Sequence, residues 1–189
     1  MIIKEKKTNK LFQYWLTISL FLVFLIIIVG GLTRLTNSGL SIIEWELFRG
    51  IIPPLNAETW NFYFDKYKTI PQYKLLYSDM ELDQFKIIFY WEYFHRILAR
   101  VIGLFFLIPL IFFYFSNHIN QEYLRTSFVV LVIIITQGVV GWFMVKSGLI
   151  NDVTVSHYRL SLHLIIAIII ISSIFWLLKN FQNNNTKKF

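Results

Sequence analysis

Cysteine is absent, proline occurs only four times, and charged residues make up just 15% of the 189-residue chain. Without a thiol no loop can be stapled by a disulfide and no thiolate metal site can form. A soluble domain of this length is usually nearer a quarter charged, so the scarcity of charge argues against an aqueous surface all round. Nor is there a basic stripe standing alone on a soluble segment. The formal charge of +7 therefore suits membrane topology, and no nucleic-acid partner is expected.

What remains is apolar and bunched. Mean hydropathy is +0.57. Residues 11–33, 101–121, 126–145 and 160–178 contain no Asp, Glu, Lys or Arg. Each run approaches the roughly 20 residues that a helix needs to cross a bilayer core. The expected fold is an all-α integral membrane protein, a four-transmembrane-helix bundle with a long outer loop that carries an amphipathic helix. The spans are placed at about 11–33, 79–115, 124–145 and 157–178, the outer loop at 35–78, and polar tails at 1–10 and 179–189. The first run follows four lysines, as a secretory signal would, but it is too long and lacks a small-residue cleavage site, so it reads as a retained anchor.

Orientation follows from the positive-inside rule. Lys4, Lys6, Lys7 and Lys10 precede the first span, and Lys179, Lys187 and Lys188 follow the last. Residues 35–85 hold seven acidic groups against four basic ones. Both termini are expected on the cytoplasmic side of an inner (cytoplasmic) membrane, with lipid around the spans.

The outer loop is too long to lack structure. Trp60, Tyr63, Phe64 and Tyr67 recur at helical spacing, with Asn56 placed as an N-cap. Two seats suit this helix: the membrane surface, aromatic side down, or the protein's own outer segments. Ser78 and Glu81 form a candidate capping box for the second span, whose first turns should project beyond the bilayer. Pro109 is a candidate bend.

Ionisable groups at membrane depth are functional candidates by default. At about 1.5 Å per residue, His95 and His163 lie roughly 10–14 Å along the second and fourth spans. Two imidazoles at matched depth are what a bis-histidine heme requires. An interhelical hydrogen bond is the plainer role for either. Arg34, Arg96, Arg100, Lys146 and Arg159 gather cations at the same end, suited to heme propionates; singly, each is explained by snorkelling. Ala99 with Gly103, Gly30 with Gly31, and Gly138 with Gly141 offer room for a flat macrocycle or for close helix packing. Glu92, one turn before His95, can orient the imidazole, pair with Arg96, or donate a proton. His157 reads as interfacial and His118 as solvated.

The blocks "VGGLTRLTNSGLSIIEW", "GIIPPL", "FYWEYFHRILARVIG", "QGVVGWFMVKSGL" and "VSHYRLSLHL" resemble heme A synthase in order and spacing, most like its alphaproteobacterial and mitochondrial branch, over about residues 25–170. The resemblance implies oxidation of a heme O methyl group to the formyl group of heme A, by hydroxylation, further oxidation and loss of water. It implies a heme b (iron) cofactor, electrons from a donor of unknown identity, and heme O synthase as a neighbour in the sequence of reactions. It places the family's required glutamate on Glu92 and its heme iron ligands on His95 and His163. The family is usually built from two such bundles, the second holding the cofactor and the first the substrate. This chain resembles the first alone, which implies a homodimer, a second four-helix half, or a shortened product without activity. The cysteine pair of some bacterial members is missing, as is common in the branch it resembles. The rival functions are a cytochrome b-like carrier and a heme-delivery subunit. A carrier has no evident need of a carboxylate beside its ligand. A transporter fits less well, because the ionisable groups gather at one end.

Overall fold

The computed structural model describes residues 2–44, 49–151 and 153–186. Six α-helices follow one another: α1 (Ile2–Leu35), α2 (Ala57–Tyr67), α3 (Pro71–Leu76), α4 (Leu82–Ser116), α5 (Gln121–Asn151) and α6 (His157–Thr186), with a 3-10 turn at Arg49–Ile51. No strand occurs among the described residues. Of these helices α1, α4, α5 and α6 are long and apolar enough to cross a membrane. The chain is a multi-pass membrane protein of all-α architecture. Its packing divides into two compact units.

One unit comprises residues 1–27, 99–137 and 164–189. Its core is aromatic: Phe12 meets Phe113 edge-on at 5.1 Å and Phe181 at 4.8 Å, and Trp15 meets Phe106 at 4.7 Å. Pro109 sits inside α4 and brings no N–H for the carbonyl four residues back. That carbonyl, on Phe105, accepts instead from the indole Nε1 of Trp15 at 3.0 Å. A neighbouring helix thereby satisfies the group that the proline strands, the usual condition for proline within a span.

In the same unit the first and last helices run into both expected tails. α1 already begins at Ile2, and Thr8 is buried. α6 runs on to Thr186, because Phe181 is buried against Phe12 and Tyr123. Asn184 Nδ2 also donates to the Tyr123 hydroxyl at 2.7 Å. Lys187 and Lys188 lie outside the described residues.

The other unit comprises residues 28–98 and 138–163. Here the long connection folds onto the first turns of α4. α2 starts where expected: Asn56 Oδ1 accepts from the Thr59 amide at 2.8 Å, and Thr59 Oγ1 accepts from the Asn56 amide at 3.4 Å. Its stripe of Trp60, Phe64 and Tyr67 is buried. Trp60 packs edge-on to Phe89 at 5.0 Å, and Phe64 stacks on Phe85 at 5.1 Å. Of the two seats considered, α2 therefore takes the protein, and its aromatic face is not available to lipid. Burial pushes the Tyr67 phenol above its ordinary range; its hydroxyl donates to Gln72 Oε1 at 3.0 Å.

α4 begins at Leu82, three residues later than the Ser78–Glu81 box implied. The Glu81 amide donates to Gln84 Oε1 at 3.0 Å, so Gln84 completes the cap. α5 extends to Asn151, because Leu149 packs against the core of the connection and Gly148 lies against Leu40 and Val155.

Candidate functional site

The site starts from the way α1 ends. Asn37 adopts a positive φ of 52°, the left-handed conformation that asparagine tolerates better than most residues. The Ser38 amide then reaches back to the Thr33 carbonyl at 3.0 Å and the Asn37 amide to the Arg34 carbonyl at 3.2 Å. This double bond pattern stops the helix and reverses the chain. Residues 38–42 are delivered against α4, and Ser38, Leu40, Ser41 and Ile42 are all buried there.

What they meet is Glu92, only 2% exposed. A carboxylate so buried needs its lone pairs filled. Oε2 accepts from Ser41 Oγ at 2.8 Å and from the Ile42 amide at 2.9 Å. Oε1 accepts from Arg96 Nε at 3.0 Å and Nη2 at 2.5 Å. Arg96 Nη2 also donates to the Ile42 carbonyl at 2.9 Å. Glu92, Arg96, the Ser41 hydroxyl and the Ile42 backbone thus form one closed network that ties the second span to the chain leaving the first. Among the three roles considered for Glu92, pairing with Arg96 is the one seen.

His95 lies one turn beyond Glu92 on α4, and His163 lies on α6; both are half-buried. Both belong to the same compact unit. Each is set against a glycine of a different helix. A Cβ on Gly30 would stand 3.2 Å from His95 Nε2, and a Cβ on Gly141 would stand 2.9 Å from His163 Cε1. The second distance is shorter than real Cβ contacts allow. Gly31, Gly103 and Gly138 have no such neighbour within 4 Å. Paired imidazoles from separate helices, each seated where a neighbouring side chain is missing, suit an iron porphyrin, which takes axial histidine. Among the described residues there is no cluster of three or more His, Asp or Glu side chains to hold a bare metal ion.

The sequence of this chain matches the cytochrome oxidase assembly protein family (COX15-CtaA) over residues 13–188. The chain belongs to that family. Heme A synthase of Pelagibacter ubique is 49% identical over a stretch covering 97% of this chain and 56% of that protein. Heme A synthase of Rickettsia canadensis is 47% identical, with 91% and 51% covered. That of Flavobacterium psychrophilum is 46% identical, with 90% and 51% covered. The chain spans about half the length of the curated relatives it matches. No solved structure matches it.

In this member of the cytochrome oxidase assembly family the expected cations take different places. Arg96 is engaged by Glu92. Arg159 reaches from α6 to the Ser147 hydroxyl and lies over the Phe143 ring, 5.3 Å from its centroid. Lys146 sits over Trp142 on its own helix at 4.9 Å. Arg34 is half-buried in the last turn of α1. Arg100, also half-buried, belongs to the other compact unit. His157 is exposed and His118 half-buried in that other unit. Sequence reasoning missed Ser41 and the Ile42 amide. The available signal was "TNSG", turn chemistry placed directly after a span and aiming the next residues back.

Proposed function

We propose that this chain is a heme A synthase or its substrate-binding half, taking heme O and oxidising one ring methyl to the formyl group of heme A for cytochrome c oxidase. The observation that carries this reading is the pair of glycine-seated imidazoles beside the Glu92 network, in a chain of this family whose curated relatives are heme A synthases.

His95 and His163 hold the iron of heme O from two helices. Gly30 and Gly141 keep the space that lets each ring settle at its depth. Arg34, Lys146 and Arg159 are the cations of this unit suited to propionates, and Arg96 adds charge while it holds Glu92. Glu92 keeps a carboxylate at fixed position one turn from His95, where it steadies charge at the reacting edge. The b-type heme, when bound, supplies redox equivalents for methyl oxidation. A second four-helix half or a second copy of the chain contributes it, and dioxygen with an electron donor completes the system. Each of two hydroxylations consumes one dioxygen, two donor electrons and two protons and releases water, and the hydrated product loses water to give the formyl group. Heme O synthase supplies the substrate. The membrane is the inner (cytoplasmic) one, with both termini cytoplasmic.

The test is expression in cells that make heme O, followed by pigment extraction. Heme A made by the wild-type chain supports the proposal, and its loss in Glu92→Ala while heme O is still bound assigns the step to Glu92. Heme O bound through both histidines but returned unchanged makes the chain a carrier. Loss of heme from the wild-type chain removes both readings.

A further inference from the structure

The block "GIIPPL" is absorbed neither by the heme-facing residues nor by the core of the long connection. Ile51 is 48% exposed, Ile52 67% and Leu55 81%, in a stretch without charge from Gly50 to Ala57. Apolar side chains this open, side by side, mark a contact surface.

Its height on α4 can be read from one bond. The Ile51 carbonyl accepts from the Tyr93 hydroxyl at 2.6 Å. Tyr93 lies seven residues past Lys86, about 10 Å further along the helix. Lys86 is paired with Asp83, and the next two charged residues on α4, Glu92 and Arg96, are paired with each other. Beyond Lys86, Ile87, Tyr90 and Phe94 are exposed while Glu92 is buried, so the outward face of α4 here is apolar and aromatic. Tyr90, Tyr93 and Phe94 pack as a cluster with ring centroids 5.7–6.4 Å apart. Such aromatic groups characterise the boundary between bilayer and water.

The backbone of the segment suits immersion. Non-helical chain in lipid is costly because its N–H and C=O groups find no water. Pro53 and Pro54 carry no N–H at all, and the Ile51 carbonyl already has its donor.

We propose that residues 51–55 are a shallow membrane-inserted loop. In this arrangement Ile51, Ile52 and Leu55 continue the lipid-facing surface of α4 into the interfacial region of the leaflet on the side of the long connection. The occupant of the patch is lipid, and its seat is continuous with the spanning surface. The anchoring element of the connection is thus this proline-rich turn rather than the aromatic face of α2, which is buried.

The absence of cysteine makes the test clean. Ile52→Cys and Leu55→Cys are labelled singly with an environment-sensitive fluorophore in phosphatidylethanolamine–phosphatidylglycerol vesicles. Asp65→Cys serves as the aqueous reference and Ile108→Cys as the lipid reference. The labels at 52 and 55 are expected to be quenched by spin-labelled lipid as at 108, and several-fold less by iodide than at 65. Iodide quenching equal to that at 65 overturns the proposal. So does protection found in native membranes but lost in the vesicles, which would assign the patch to a protein partner. Should a labelled variant misfold, the unaltered chain is exposed to a photoactivatable lipid; cross-links at 51–55 support the loop and their absence overturns it. The outcome is independent of whether the chain binds heme.

Discussion

Gly141 faces His163 so closely that a methyl group on it would stand 2.9 Å from the imidazole Cε1. An alanine there must move either the ring or the helix. Overpacking of this kind destabilises by about 1–3 kcal/mol. In Gly141→Ala the displaced imidazole should weaken heme binding about tenfold, read as a shifted midpoint in an absorbance titration. Gly30→Ala, at 3.2 Å from His95 Nε2, should act in the same direction but less. Gly31→Ala and Gly138→Ala, which meet nothing within 4 Å, should bind heme as the parent does. Equal behaviour in all four variants would remove the glycines from the site.

Ser41 gives Glu92 one of its four donors. Ser41→Ala leaves a buried carboxylate oxygen with one partner fewer, which destabilises by about 1–3 kcal/mol. Glu92→Gln should be worse, because its amide group must present N–H atoms to neighbours that are themselves donors. Breaking a buried pair from one side destabilises by about 3–5 kcal/mol. Thermal unfolding in detergent should rank the parent above Ser41→Ala and Ser41→Ala above Glu92→Gln. If Ser41→Ala melts with the parent, the network has another source of strength.

Trp15 and Pro109 should be coupled. Trp15→Phe removes the donor to the Phe105 carbonyl, a loss of about 1 kcal/mol within a membrane span. Pro109→Ala restores an N–H to that carbonyl. The double variant should therefore be closer to Pro109→Ala alone than additivity allows, and a double-mutant cycle on unfolding free energies reads the difference. Strict additivity would mean that the indole bond contributes nothing.

Phe181→Ala should destabilise by about 3 kcal/mol, the order found for emptying a buried aromatic site. It should also free the last turns of α6, visible as lost helical signal and earlier proteolysis after Lys179. An unchanged cleavage pattern would show that Asn184 holds the end by itself.

The spans were legible because lipid demands runs of apolar residues whatever the tertiary detail, and α1, α4, α5 and α6 contain all four. Their ends were not, because they depend on contacts between distant residues. Phe181 and Asn184 look like a polar tail until Phe12 and Tyr123 stand beside them. The histidines could be singled out by depth alone. The glycines could be found only in pairs, since hydropathy cannot tell which of Gly138 and Gly141 faces inward. The surroundings of Glu92 were half visible. Arg96 is one turn away on the same helix, whereas Ser41 and Ile42 stand some fifty residues earlier and arrive through a chain reversal. That half also changes an inference: four donors give the carboxylate a structural reason to be present, so its presence alone does not separate an enzyme from a carrier.

The order of synthesis gives the Glu92 network a further meaning. Ser41 and Ile42 leave the ribosome long before α4, and Arg96 follows Glu92 within a single turn. The acid of the second span thus has its counter-charge on its own helix, and the earlier segment adds the two remaining donors, the Ser41 hydroxyl and the Ile42 amide. The Glu92–Arg96 pair is neutral as a unit, so the span carries one ion pair rather than two separate charges.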